Sequence, residues 1–205
     1  MPKEFTPEQR EKARKAWNEA TSFNQLCELA AKFIEGTSPF MPNYLADSVA
    51  AETEPLVTYL AAYNRAGFLT TCSQPGEDFP DWKQRAFVDG FALEPVARSI
   101  ARLSLYTDLH IVAVPPGMSA GFHTPVILRD FMPHGWSGFS SFEELDFFRE
   151  ECGELAFNEL LRAWSISIID LQWGRKEHLW RKVAQAICYS EKPHPDLGLD
   201  IDFAV

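Results

Sequence analysis

Two periodicities alternate along this chain, and the points where they switch restrict its fold more than any composition figure. In "AAETEPLVTYLAAYNRAG", Leu56, Leu60 and Tyr63 recur at helical spacing, with Thr53 as a candidate N-cap, Pro55 in the first turn and Gly67 as the stop. An apolar run, residues 68–72, leaves directly from that stop and reads as a strand. The polar residues Thr70, Thr71, Cys72, Ser73 and Gln74 follow one another at its end, before Pro75-Gly76, which predicts a turn. Upstream, Thr6-Pro7 caps a helix to about residue 20, and residues 23–35 form a second helix stopped by Gly36. Downstream, strands are predicted over 83–93, 108–114, 124–130 and 165–171. Helices are predicted over 94–106, over 142–164 with a break near Gly153, and over 176–187. Helices and strands alternate except for one hairpin. The predicted fold class is therefore α/β in the mixed α+β sense: a mixed β-sheet flanked by helices. Residues 1–46 read as a helical N-terminal extension, 47–190 as the main domain, and 191–205 as an acidic tail.

At 205 residues and 46% hydrophobic content the chain can bury a real core. Its formal net charge of -10 argues against a nucleic-acid or anionic-membrane partner, which clustered Lys and Arg would serve. The start, "MPKEFTPEQREKARKAW", is a charged helix and not a signal peptide, and no apolar segment is long enough to span a bilayer. Cys27, Cys72, Cys152 and Cys188 are widely spaced and form no C-x-x-C pair, so reduced thiols in a cytoplasmic protein are expected, and no metal site.

Familiar catalytic signatures are missing: there is no G-x-G-x-x-G, P-loop, H-E-x-x-H or G-x-S-x-G. His110, His123, His134, His178 and His194 show no ligand spacing. His123, beside Gly121 in a loop entering a strand, reads as an ordinary loop histidine. Cys72 reads as a small structural residue, since nothing near it supplies a base.

Residues 50–74 carry the candidate site. Glu52 and Thr53 stand at a helix start, where free N–H groups favour an anionic ligand group and a carboxylate can hold a cationic one. The plain alternative is that Thr53 caps the helix and Glu52 complements its dipole. "VAAETEPLVTYLAAYNRAGFLTTCSQPG" resembles the C-terminal regulatory domain of eukaryotic methylenetetrahydrofolate reductase. That domain has an Ala-Ala-Glu-Thr helix start, here Ala50 to Thr53, and an Asn-Arg-x-Gly stop, here Asn64 to Gly67. It also has a Leu-Thr-x-x-Ser-Gln-Pro strand end, here Leu69 to Pro75. "KQRAFVDGF" and "SIIDLQWGRKEHLW", with Asp170 and Trp180, continue the likeness. The catalytic barrel of the reductase has no counterpart here, so no flavin or folate site is implied.

The resemblance implies a site for S-adenosylmethionine or S-adenosylhomocysteine contacted by Ala50, Glu52, Thr53, Thr70 and Ser73, with Thr124 on a later strand. Glu52 would face the ligand's positive charge and be the first candidate base if the ligand is consumed. In a regular strand Thr70 and Ser73 point to opposite faces, so both can serve one ligand only if the strand bends or ends near Thr71. "HGWSGF" departs from the family, which leaves the part played by residues 131–141 open. The resemblance also implies a homodimer. Three roles remain open: a stand-alone sensor or regulator of a separate enzyme, a small enzyme that consumes S-adenosylmethionine, or an interaction module without the ligand.

Overall fold

The computed structural model describes residues 4–42, 44–118, 123–137 and 142–188; the tail expected over 191–205 lies outside them. Helix α1 (Pro7–Asn18) starts with a capping box, in which the Thr6 hydroxyl accepts from the Gln9 amide and the Gln9 side chain accepts from the Thr6 amide. Helix α2 (Phe23–Ile34) buries Phe23, Leu26, Cys27, Ala30 and Phe33 on one face, with Leu29 half-buried against the same core. The next element begins as a 3₁₀ turn, Ala51–Leu56, and becomes helix α3, Val57–Arg65.

Strands β1 (Phe68–Asp78) and β2 (Trp82–Ala92) form a long antiparallel hairpin. Then come α4 (Glu94–Ala101), β3 (Leu109–Val114), β4 (Thr124–Arg129), β5 (Met132–Ser137), α5 (Phe142–Glu151), α6 (Glu154–Leu160), β6 (Trp164–Trp173) and α7 (His178–Ile187). The fold is the expected mixture of helix and sheet, and every pairing among the described residues is antiparallel. The strand order is β3-β6-β2-β4-β5, with β1 also on β2.

Three local expectations need correction. Pro75-Gly76 is not a turn: β1 runs through it to Asp78, and the turn comes where the Phe79 amide bonds the Trp82 carbonyl. Proline is tolerated because β1 pairs with β2 alone among the described residues, leaving one row of its N–H groups outside the ladder. Gly76 is required by its φ of +86° and by a close approach, since an added Cβ would lie 3.0 Å from the Ala86 nitrogen. The helix expected over 94–106 gives way after Ala101 to a 3₁₀ turn, Arg102–Leu105. There the Ser104 and Thr107 hydroxyls bond back to the carbonyls of Ala101 and Leu103. Strand β5 was not expected. Asp130 and Phe131, both with positive φ, make its hairpin turn, and neither is the glycine that would have announced it.

One core cluster runs from α1 and α2 through the sheet to α7, with Trp17, Phe23, Phe33, Tyr63, Phe68, Phe148 and Trp180 fully buried. Each such side chain contributes about 1.5–3 kcal/mol through burial. Phe87, Val126 and Ile169 form a small second cluster beneath the β4–β5 hairpin. No helix among the described residues is long and apolar enough to cross a membrane.

Candidate functional site

The helix-to-strand junction is fixed by Asn64. Its amide donates to the Leu60 carbonyl at 2.8 Å and to the Thr70 hydroxyl at 2.7 Å, and its carbonyl oxygen accepts from the Thr70 amide at 3.1 Å. Asn64 and Thr70 are both buried. The "NRAG" stop therefore does more than end a helix: it ties the start of β1 to the last turn of α3.

A β-bulge follows at once. Thr70 lies opposite Gly90, Cys72 opposite Asp89 and Ser73 opposite Val88, leaving Thr71 as the extra residue. Gly90 and Val88 are two apart on β2, so Thr70 and Ser73 share a face. Strand geometry required a bend, and the bulge supplies it.

The 3₁₀ turn brings Glu52 to a cavity of about 370 Å³ between that turn, α3, the β1–β2 hairpin and the start of α7. This is the low end of the range for small-molecule sites. Tyr59, Phe79, Trp82 and Trp180 supply aromatic walls, and Glu52, Glu77 and Glu177 supply carboxylates. The Phe79 and Trp82 rings stack with centroids 5.4 Å apart. Lys176 pairs with Glu77 at 2.7 Å. Behind the wall, the Gln74 amide donates to Glu52 at 3.1 Å, and the Gln84 amide donates to the Gln74 carbonyl oxygen. The Gln84 carbonyl oxygen and the Trp180 indole nitrogen are buried and have no hydrogen-bond partner among the described residues.

Of the residues the resemblance assigns, Glu52 lines this cavity. Ala50 is exposed just before the 3₁₀ turn, and its carbonyl accepts from the Thr53 amide at 2.8 Å. Thr53 is buried inside the turn and is not its N-cap, the position Ala50 holds. Thr70 is latched to Asn64, and half-buried Ser73 shares its strand face. Thr124 opens β4 opposite Ser137. Within residues 131–141, Gly138, Phe139, Ser140 and Ser141 lie outside the described residues, as does Gly121 beside His123.

Ser137 reaches a second polar centre. Its hydroxyl donates to buried Asp89 at 2.6 Å, and Ser167, opposite Asp89 on β6, hydrogen-bonds it as well. Burial pushes the Asp89 carboxyl up to about 6, with the two serine bonds working against that rise. Sequence reasoning missed Asp89, Gln84 and the aromatic walls. Trp180 was visible as a matched position, but only packing shows that it walls a cavity. Among the described residues no three His, Cys, Asp or Glu side chains gather as metal ligands would.

No curated protein matches the sequence. A match to the family described as a domain of unknown function, DUF6919, spans residues 12–190 and covers the latch, the bulge, the cavity and the Asp89 centre together; the chain belongs to that family.

Proposed function

We propose that this protein binds S-adenosylmethionine or S-adenosylhomocysteine and acts as a sensor or regulator. The supporting observation is the cavity of about 370 Å³ beside Glu52, which combines flat aromatic walls with the Glu52 carboxylate, while Glu77 and Glu177 already pair with Lys176 and Arg181. Aromatic faces suit a purine and attract a cation, and carboxylates suit a sulfonium or ammonium. The likeness of residues 49–75 to the reductase regulatory domain supports the same ligand. The bulge that sets Thr70 and Ser73 on one face adds to it.

Calorimetry with either ligand tests the proposal. Glu52→Ala should weaken binding by about 1.5–3 kcal/mol, the worth of a charge-assisted bond. Absence of binding to the wild type at millimolar ligand would sink it. Long incubation followed by mass spectrometry separates sensing from consumption. Unchanged ligand supports a sensor, whereas methylthioadenosine or a methylated product in many-fold excess over protein makes the same pocket an enzyme's.

The proposal extends to a cytoplasmic homodimer that acts on a separate enzyme. Phe131, Met132 and Trp136 project from the β4–β5 hairpin as exposed apolar surface, the kind that self-association covers. Light scattering should return twice the chain mass of 23.3 kDa, and a persistent single-chain mass would contradict the dimer.

A further inference from the structure

We propose that the Glu52–Gln74–Gln84 chain determines the site's base specificity, and that it selects a purine bearing an exocyclic amino group over one bearing an oxo group. The inference rests on the nucleoside reading above and goes further by naming what recognises the base.

A carboxylate offers only acceptors in its ionised form. Gln74 therefore turns its amide nitrogen to Glu52, at 3.1 Å, and must present its carbonyl oxygen the other way. Gln84 meets that oxygen with its own amide nitrogen. The orientation passes along the chain, so the Gln84 oxygen is left as the terminal acceptor. Gln84 is 1% exposed, lines the cavity, and its oxygen has no partner among the described residues. A buried acceptor in that state is destabilising, and a ligand N–H relieves it.

Trp180 adds the complementary demand. It is also 1% exposed, lines the same cavity, and its indole N–H has no partner among the described residues. Two residues of the lining thus carry one unpartnered acceptor and one unpartnered donor, which a ligand with both functions would answer. An ammonium group offers donors only and cannot satisfy the indole. An aminopurine offers an exocyclic N–H₂ and ring nitrogens, and its flat faces fit Tyr59 and Trp82. In the pose that gives Gln84 the exocyclic amino group, an oxopurine would set its carbonyl against the Gln84 carbonyl, and its N1–H would reach that oxygen only from a shifted position. Glu52 then acts twice, as counter-charge and as the group that fixes two amides. Gln74 is a positioning residue that does not itself line the cavity.

The test compares S-adenosylhomocysteine with its deaminated form, S-inosylhomocysteine, by calorimetry. The wild type should bind the amino form about 10- to 100-fold more tightly. Gln84→Leu removes the acceptor but also a buried amide that β2 packs around. Gln74→Leu, at a half-buried position, leaves Gln84 in place and frees its amide to rotate. It should bring the two affinities toward parity, a ratio that a purely structural role would leave unchanged. Equal wild-type affinity for both compounds overturns this inference while the nucleoside reading stands. A preference that survives intact in Gln74→Leu overturns the chain as its source. Failure of the wild type to bind either compound removes the nucleoside reading, and this inference with it.

Discussion

Asp89 shows how a single buried group shapes the whole protein's response to acid. Its folded pKa of about 6 lies above the unfolded value of about 3.9, because burial penalises the charged form. A raised folded value means that the native state holds the proton more tightly. Its contribution is complete below about pH 4 and is lost as pH rises through about 6, a change of about 3 kcal/mol. Asp89→Asn removes this dependence. The stability of the wild type relative to Asp89→Asn, followed by urea unfolding, should fall by about that amount across the window. A flat difference would contradict the assignment. Asp108, held low by its hydrogen bond from Arg175, has the opposite dependence, and the comparison cancels it. Asp170 belongs to another class. It is fully buried and accepts from Arg175 Nε at 2.5 Å. Arg175→Met would strand that charge and should cost about 3–5 kcal/mol in thermal or denaturant unfolding. The sequence showed Glu52 and Thr70 because their spacing has a pattern. It did not show Asp89, whose importance comes from Ser137 and Ser167, 48 and 78 positions further on, and no local pattern encodes those contacts.

At the scale of elements, the junction from α3 to β2 was the most legible part, and its errors are instructive. The helix stop and the strand start were both visible, since Gly67 and the apolar run after it are local signals. The bulge was visible only as a requirement: something had to break the alternation between Thr70 and Ser73. Gly90 is what permits it. A Cβ there would lie 2.2 Å from the Leu69 carbonyl oxygen and 2.9 Å from the Phe68 ring. Gly90→Ala should force β1 from β2 at the bulge and cost about 3 kcal/mol or more, measured by chemical unfolding. It should also weaken ligand binding, because Thr70 lies opposite Gly90. A variant as stable as the wild type would show that the strands do not approach so closely. Strand β5 was illegible for a different reason. Its turn uses Asp130 and Phe131 in a conformation that side chains rarely adopt, so the hairpin is held by Ser137 on Asp89 and Val126 on Phe87.

Across the whole molecule, the first two helices share the core with everything else. Phe23, Leu26 and Phe33 of α2 pack in the same cluster as Phe68 and Trp180, and Trp17 of α1 meets Phe148 of α5 with ring centroids 6.0 Å apart. A chain beginning at residue 47 should therefore lose cooperative unfolding and exchange its amides rapidly. Native-like protection in that fragment would show that the remaining helices can close the core unaided. Sequence periodicity identified both helices correctly, but it could not say what they pack against.

Strand β6 has a consequence for the order of events at the ribosome. It lies between β3 and β2, bonded to both, yet β4, β5, α5 and α6 come between it and β3 in the chain. Until β6 emerges, β2 from Phe87 to Ala92 and β3 each hold an open edge that no earlier described segment fills, since β4 reaches only Trp82 to Gln84 of β2. The sheet closes only when β6 arrives between them. The nascent chain must spend that interval with two sticky edges shielded from its neighbours.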